Sequence, residues 1–114
     1  MRHYHAEPRL SEYAIFNHVV YLAGQVPENS DGDIVAQTSN VLAQVDHLLA
    51  EAGSDKSRIL MCQIFITDMA NMAGMNQVWD AWVVPGCTPP RATVQAALAN
   101  PDWLLEIVIT AAQT

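Results

Sequence analysis

Positive charge is scarce in this sequence, and so are charged residues in general and cysteines. Its 114 residues include five Lys and Arg against twelve Asp and Glu, which gives a formal net charge of -7. A negative field of this size repels phosphate backbones, so we do not expect nucleic acid as the main partner. Cys62 and Cys87 lack the CxxC spacing of a zinc or redox motif, so we expect reduced thiols and no metal site.

Long apolar runs are also absent. No segment approaches the roughly 18 consecutive apolar residues of a membrane span. The opening segment MRHYHAEPRL lacks the apolar stretch of a secretory signal. We therefore expect a cytoplasmic chain with no membrane partner. No repeat, linker, glycine-rich phosphate loop or nucleophile elbow is present, so residues 1–114 are expected to form a single domain.

Runs of β-branched and aromatic residues predict five strands. The first two are expected at 15–16 and 19–23, on either side of a turn at Asn17-His18. The other three are expected at 59–67, 91–97 and 103–111. The run at 59–67 has apolar residues on both of its faces, which favours a central strand.

Apolar residues at steps of three and four predict a helix over 34–52. Asp31 or Asp33 can cap its start, and Gly53 can adopt the left-handed conformation that ends it. The face predicted to be solvated carries Gln37, Asn40, Gln44, Asp46, His47 and Glu51. A second apolar stripe predicts another helix after Asp68.

This order of elements predicts an α+β fold in which both helices pack on one face of a sheet. The opposite face would then lack cover. We expect it to be apolar, with contributions from Val94, Ala96, Ile107 and Ile109. A sheet face of this composition is too apolar to remain in water, so self-association of the chain is expected.

Arg91 and Glu106 are the two residues whose positions suggest chemistry. Arg91 begins an otherwise uncharged strand, where a guanidinium can hold a carboxylate through two parallel hydrogen bonds. Glu106 interrupts the apolar run WLLEIVI, where a carboxylate can serve in proton transfer. A structural explanation stays open for each. Arg91 can reach solvent from a strand end, and Glu106 can pair with a backbone group or a cation.

Simple strand geometry does not bring these two residues together. If residues 98–102 form a tight hairpin, Val94 faces Glu106 and Arg91 faces Ile109. Strand alternation then sends Arg91 and Glu106 to opposite faces of the sheet. Three explanations stay open: the hairpin is not tight, a bulge shifts the register, or the pair meets across a subunit interface.

Other residues have simpler structural explanations. His3 and His5 share a face of any N-terminal strand, and we expect them to be exposed surface residues rather than metal ligands. Trp79 and Trp82, at helical spacing, are expected in the core or in an interface. Cys62 is expected to be a buried apolar residue.

The C-terminal stretch PPRATVQAALANPDWLLEIVITA resembles the signature of the YjgF/Rid family of reactive-intermediate (imine and enamine) deaminases. That signature has a Pro-x-Arg, a Val three residues after the Arg, and an apolar-Glu-Ile segment. Arg91 and Glu106 keep the family's spacing of fifteen residues. The segment AGQVP at 23–27 is similar to the family's Ser-Gly-Gln-x-Pro, and MNQVWDAW at 75–82 to its Asn-x-x-aromatic-x-x-aromatic helix. Within the family, the sequence looks most like the short YoaB type.

The resemblance implies a fold like the bacillus type of chorismate mutase. Such a fold has a six-stranded mixed sheet with two helices on one face, and family members assemble as homotrimers with clefts between subunits. Arg91 matches the family Arg that binds the substrate carboxylate, and Glu106 the Glu that positions or activates water, so these are the expected catalytic residues. The expected substrate-binding residues are Arg91, Thr93, Ala23 and Gly24. Neither a metal nor an organic cofactor is implied.

The function implied by the resemblance is hydrolysis of small 2-imino or enamine acids to 2-keto acids and ammonia. The expected partner is thus a small carboxylate substrate. Ala23 stands where deaminases of the family commonly have a serine that contacts substrate, and its methyl group cannot donate a hydrogen bond. The alternative is a non-catalytic module of the same fold that binds a small carboxylate such as a 2-keto acid. Ribonuclease activity, attributed to some relatives, is disfavoured by the negative charge.

Overall fold

The computed structural model describes all 114 residues, Met1–Thr114, which form one mixed β-sheet with two helices on one face. The strands are β1 (Arg2–Tyr4), β2 (Tyr13–Phe16), β3 (Val19–Leu22), β4 (Ile59–Ile66), β5 (Arg91–Gln95) and β6 (Leu105–Ala112). The helices are α1 (Ile34–Glu51) and α2 (Met72–Trp82). The strand order is β1-β2-β3-β6-β4-β5, and only the β4–β5 pair is parallel. The predicted α+β fold is confirmed. Neither helix combines the length and the apolar content needed to span a membrane.

The N-terminal strands form an antiparallel meander. Asn17 and His18 connect β2 to β3 with positive φ angles of 52° and 62°. These angles are typical of a two-residue hairpin turn, so the predicted turn is confirmed. β1 adds a strand that the apolar pattern does not indicate. It has only three residues and none of them is buried, so it carries no apolar alternation.

Helix α1 begins and ends as the sequence predicts. Asp33 is the N-cap, and its carboxylate accepts a hydrogen bond from the backbone N–H of Ala36 at 2.9 Å. Gly53 follows the helix with a φ of +81°, a conformation that glycine adopts without strain. The buried side of the helix packs on the sheet with Val41, Val45 and Leu49.

The predicted solvated position of Gln37 is wrong, because this side chain is only 1% exposed. Its Nε2 donates hydrogen bonds to the carbonyl oxygens of Ser30, Gly32 and Asp102. Its Oε1 accepts a hydrogen bond from the backbone N–H of Leu104 at 2.8 Å. Gln37 therefore joins the start of α1 to the segment that leads into β6, and these partners replace water.

The C-terminal half contains a β4–α2–β5 crossover, so the last two strands do not form the tight hairpin that is the simplest interpretation of the sequence. β5 pairs in parallel with β4, with Arg91 in register with Cys62. β6 pairs with the other edge of β4, antiparallel, with Glu106 in register with Phe65. Because α2 carries the chain back along β4, β5 joins its outer edge and β6 takes the inner one. The central position predicted for the strand at 59–67 is confirmed.

The two faces of the sheet differ in their cover. Ile107 and Ile109 pack under the helices and are fully buried, so their expected place on the uncovered face is wrong. The uncovered face instead carries apolar side chains that are 44–50% exposed, namely Phe16, Tyr21, Met61 and Val94. An exposed apolar sheet face is thus present, as expected, but different strand positions supply most of it.

Candidate active site

Glu106 lies on the uncovered face of the sheet, against the loop that follows β3. A Cβ placed on Gly24 would lie 2.3 Å from Oε2 of Glu106, so glycine is the residue that leaves room for this carboxylate. Two backbone hydrogen bonds between Gln25 and Ile107, at 2.8 and 3.0 Å, hold the loop on β6. The loop and the strand together fix where the carboxylate sits.

Glu106 is half-buried, and its carboxylate has no partner within the chain. It accepts no hydrogen bond and enters no ion pair, because the two ion pairs in the structure both belong to Glu51. The carboxylate oxygens of Glu106 are therefore available to a ligand or a water.

Arg91 lies at the start of the edge strand β5, on the face that the helices cover. The backbone N–H of Cys62 donates to the carbonyl oxygen of Pro90 at 2.9 Å, which anchors the chain just before Arg91. Its guanidinium carbon lies 5.1 Å from the ring centroid of Trp79, and no carboxylate pairs with it. Trp79 is buried, as predicted, but its contact with Arg91 was not predicted.

Cys62 and Thr93 are the polar neighbours of Arg91 on this face. Burial raises the pKa of the Cys62 thiol to about 12, and the positive charge of Arg91 opposes part of that rise. The thiol is therefore a buried neutral group, as the sequence predicts. Thr93 follows Arg91 by two residues, and its Oγ1 is buried without a hydrogen-bond partner.

Ala23 precedes Gly24 and is half-buried. Its backbone N–H donates to the carbonyl oxygen of Glu12 at 2.8 Å, and its own carbonyl oxygen accepts from Nε2 of Gln25 at 3.0 Å. These bonds fix the backbone of the loop. The side chain is a methyl group, so position 23 offers a ligand no hydroxyl.

The residues predicted from the sequence thus fall into two groups within one chain. Gly24 and Glu106 meet on the uncovered face, whereas Arg91 and Thr93 lie on the covered face of β5. The register between β4 and β6 shifts between Ile59 and Met61, several residue pairs away from Glu106. The shift therefore does not move Glu106 to the sheet face that carries Arg91. The last two strands form no tight hairpin, as one explanation supposed, but Arg91 and Glu106 still lie on opposite faces, so contact across a subunit interface is the explanation that stays open.

The three main surface grooves of the single chain do not join the two groups either. A groove of about 530 Å³ lies beside the end of β5 and is lined by Thr67, Gln95, Ala96, Ala97, Leu98 and Pro101. The structure contains no cluster of three or more His, Cys, Asp or Glu side chains arranged to hold a metal ion. His5 is instead hydrogen-bonded to Glu51.

Comparison with known proteins identifies the family. The profile of the family described as Endoribonuclease L-PSP matches residues 2–113. A crystal structure of NMB1025, a YjgF-family member from Neisseria meningitidis, superimposes with a TM-score of 0.96. It is 49% identical, and the match covers 99% of this chain and 94% of that one. This chain belongs to the YjgF/Rid family.

Two curated members of the YjgF/Rid family are also similar. RutC family protein YoaB from Escherichia coli strain K12 is 51% identical over 107 residues, which cover 94% of this chain and 93% of the relative. The 3-aminoacrylate deaminase RutC from Acinetobacter baylyi is 38% identical over 101 residues, 83% of this chain and 79% of the relative. The resemblance stated from the sequence is confirmed.

Proposed function

We propose that this YjgF/Rid protein is a cofactor-free deaminase that hydrolyses small 2-imino acids and their enamine tautomers to 2-keto acids and ammonia. The observation that carries the proposal is the partial burial of Arg91 and Glu106 and the lack of an ion pair at either residue. Each is half-buried, and neither has an ionic partner in its own chain. The similarity to a relative named 3-aminoacrylate deaminase supports this chemistry, because 3-aminoacrylate is itself an enamine with a carboxylate.

Arg91 holds the substrate carboxylate in this proposal. A guanidinium presents N–H groups in a fork that matches the two oxygens of a carboxylate. It also offsets locally the net charge of -7 that would otherwise repel an anionic substrate. A carboxylate fixed in this way presents the neighbouring C=N carbon in one orientation.

Glu106 acts on water in this proposal. Its carboxylate takes a proton from the water while the water oxygen bonds to the C=N carbon, and it passes that proton to the imine nitrogen to give a carbinolamine. Glu106 then takes the proton of the carbinolamine hydroxyl as the carbon–oxygen double bond forms, and it gives this proton to the nitrogen, so that the C–N bond breaks and ammonia leaves. Water and imine thus yield a keto acid and ammonia. General acid–base help of this kind is worth about 10²–10⁴-fold in rate.

The opposite faces of Arg91 and Glu106 favour a site formed between copies of the chain. In the proposed homotrimer, the apolar sheet faces pack on one another, and Arg91 of one subunit approaches Glu106 of the partner subunit. The half-exposed Tyr21 and Val94 support this packing, because water would otherwise cover them.

Light scattering after gel filtration tests the assembly. Wild-type protein is expected at three times the 12.5 kDa of one chain. Val94→Glu places a charge on the uncovered face and should give monomers. The matched control is Met69→Glu, which changes a similarly exposed apolar residue in the turn before α2. A wild-type monomer at micromolar concentration would contradict the trimer.

A coupled assay tests the activity. A serine or threonine dehydratase generates the imine in place, semicarbazide traps what is not hydrolysed, and release of the keto acid is compared with an enzyme-free blank. Wild-type protein should accelerate release. Arg91→Ala and Glu106→Gln should each lower kcat/KM by about 100-fold or more, the scale of a lost catalytic group.

Matched variants separate these losses from general damage. Arg2→Ala removes another arginine that lies over an aromatic ring on an edge strand, and it should keep full activity. Glu7→Gln neutralises an exposed carboxylate that makes no side-chain hydrogen bond, and it should do the same. If Arg91→Ala hydrolysed the imine as fast as wild type, the proposed mechanism would be wrong.

A second candidate function follows from the methyl group of Ala23. A cleft that lacks the family's serine hydroxyl can still bind a carboxylate through Arg91, as a non-catalytic module for 2-keto acids. Calorimetric titration with pyruvate and 2-oxobutanoate separates the two candidates. Binding without turnover favours the module, whereas turnover with several amino-acid precursors favours the deaminase.

The proposed partners are a small carboxylate and further copies of the chain, with no nucleic acid or membrane. The negative charge disfavours a phosphate backbone despite the nuclease name of the family profile. We assign the reaction to the cytoplasm, the compartment favoured by the two free thiols, Cys62 and Cys87.

A further inference from the structure

We propose that Trp79 is a positioning residue for Arg91, and that its indole ring holds the guanidinium ready for a carboxylate without occupying any hydrogen-bond donor. The inference rests on the proposed function in one respect, since it takes Arg91 as the group that binds the substrate carboxylate. Neither the family resemblance nor the apolar pattern assigns this positioning role to Trp79.

The contact between the two side chains has the geometry of a cation–π interaction. The guanidinium carbon of Arg91 lies 5.1 Å from the Trp79 ring centroid, within the roughly 6 Å over which a ring face attracts a cation. Trp79 is 6% exposed, and the ring of Trp82 lies 5.4 Å from it at 44°. The indole is thus fixed by packing, and it offers a rigid support rather than a mobile one.

Both ends of the Arg91 side chain are then constrained. Its backbone is fixed in β5 by the register with Cys62 and by the hydrogen bond from the Cys62 N–H to Pro90. Its head is fixed by the ring. A long side chain that is already ordered loses less rotamer freedom when a ligand binds, which favours binding.

A ring supports the guanidinium differently from an acidic residue. A carboxylate partner would occupy two of the five N–H donors and neutralise the charge. An aromatic face attracts the charge but leaves the N–H groups in the guanidinium plane free. The chain has twelve Asp and Glu, yet none pairs with Arg91, which therefore keeps both its charge and its donors for a ligand.

Affinity for pyruvate, measured by calorimetry, tests the proposal through binding rather than turnover. Trp79→Leu should weaken binding by about 3- to 30-fold, the range of a partly desolvated cation–π contact. Trp79→Phe keeps an aromatic face and should lose less. The matched control is Trp103→Leu, which removes a half-buried ring that takes part in no cation–π or ring–ring contact. It should stay within about two-fold of wild type.

A double-mutant cycle separates positioning from general damage. In the Arg91→Ala background, Trp79→Leu should cause no further loss of pyruvate affinity, because the ring has no guanidinium left to hold. Equal losses in both backgrounds would show a merely structural role and overturn the proposal. So would an unchanged affinity of Trp79→Leu in the wild-type background.

Fluorinated tryptophan covers the case in which Trp79→Leu does not fold. In a Trp82→Phe, Trp103→Phe chain, Trp79 is the only tryptophan, and it can be replaced biosynthetically by fluorotryptophans of nearly the same shape. Each added fluorine withdraws electrons from the ring face, so pyruvate affinity should fall stepwise. Affinity independent of fluorine number would overturn the proposal.

The outcomes also separate this inference from the deaminase. Pyruvate binding that depends on Trp79 without imine hydrolysis would overturn the deaminase and support the positioning role. If the chain hydrolyses the imine and Trp79→Leu leaves the KM unchanged, the deaminase is supported and the positioning role of Trp79 is overturned. A wild-type chain that binds no pyruvate would overturn the positioning role together with the carboxylate site.

Discussion

The hydroxyl of Tyr13 donates a hydrogen bond to Oε1 of Glu51 at 2.9 Å, which links strand β2 to the last turn of helix α1. Tyr4 stacks on Tyr13 with ring centroids 4.7 Å apart, and His5 contacts the same carboxylate oxygen. The short edge strand β1 is therefore held by side chains of its neighbours as well as by the sheet. Glu51 is the point at which these contacts meet.

This arrangement predicts an acid-sensitive contribution to stability. Hydrogen bonds from His5 and Tyr13 hold the pKa of Glu51 below its ordinary value of 4.5. Because the folded state binds this proton less readily than the unfolded state, the contribution is present above the ordinary pKa. It is lost as pH falls through the lowered pKa. Thermal unfolding between pH 6 and pH 3 should therefore show a steeper loss of Tm for wild type than for Glu51→Gln.

Glu7→Gln is the control for this experiment, because it removes an exposed carboxylate that has no side-chain partner. Its Tm should follow the wild-type pH profile. Parallel profiles for wild type and Glu51→Gln would contradict the assignment of the acid-sensitive contribution to this carboxylate.

Gly24→Ala is expected to reduce activity while leaving the fold intact. The added methyl group would clash with the Oε2 and Cδ atoms of Glu106, at 2.3 and 2.7 Å. The φ of Gly24 lies outside the left-handed region, so alanine fits the backbone, and the end of a flexible side chain moves instead. A shifted carboxylate should lower kcat by about 10-fold or more, since catalysis depends on position.

Circular dichroism and thermal unfolding of Gly24→Ala complete this test. The Tm should stay near that of wild type, because the clash is relieved at the surface of the sheet. Gly86→Ala is an unsuitable control because Gly86 has a φ of +81°. Ala97→Gly, at an exposed loop position, is a better one. Full activity in Gly24→Ala would contradict the role given to the Glu106 position.

Gln37→Leu is expected to destabilise the protein although it adds apolar surface to a buried site. The change leaves the N–H of Leu104 and the carbonyl oxygens of Ser30, Gly32 and Asp102 without their partner. Each of these four hydrogen bonds contributes about 0.5–1.5 kcal/mol, so the free energy of unfolding should fall by about 2 kcal/mol or more.

Urea denaturation measures this loss as a lower midpoint. Gln77→Leu is the matched control, because it makes the same change on an exposed face of α2 and should shift the midpoint little. Equal midpoints for Gln37→Leu and wild type would show that water satisfies these groups as well as the glutamine does.

The two cysteines should differ in reactivity. Burial raises the pKa of Cys62 to about 12, so its thiol stays protonated and shielded at pH 8, whereas Cys87 is exposed. Ellman's reagent should therefore titrate one thiol per chain in native protein and two in guanidinium chloride. Cys87→Ser should abolish the native reaction, and a native reaction in that variant would contradict the burial of Cys62.

Much of the fold could be predicted from local patterns, because these patterns reflect local physics. The cap at Asp33, the stop at Gly53 and the turn at Asn17-His18 each depend on residues a few positions apart. The insertion of β4 between β5 and β6 could not be predicted this way. It depends on where α2 returns the chain, and apolar runs specify burial but not neighbours.

The same limit applies to the candidate site. Arg91 and Glu106 could be singled out because a charge in an apolar strand is visible in the sequence. The close approach of Glu106 to Gly24 and the support of Arg91 by Trp79 could not, since both join residues distant in sequence. The burial of Gln37 could not be predicted either, because a periodic pattern treats every glutamine as solvated, whereas here backbone groups of two distant segments surround this side chain.

The position of β6 has a consequence for how the chain folds. The strand that follows all the others in sequence lies in the middle of the sheet, between β3 and β4. Before residues 105–112 pair, the three N-terminal strands and the β4–β5 pair share no edge. Closure of the sheet therefore waits for one strand that joins two half-sheets distant in sequence, an ordering that slows folding and exposes strand edges in the meantime.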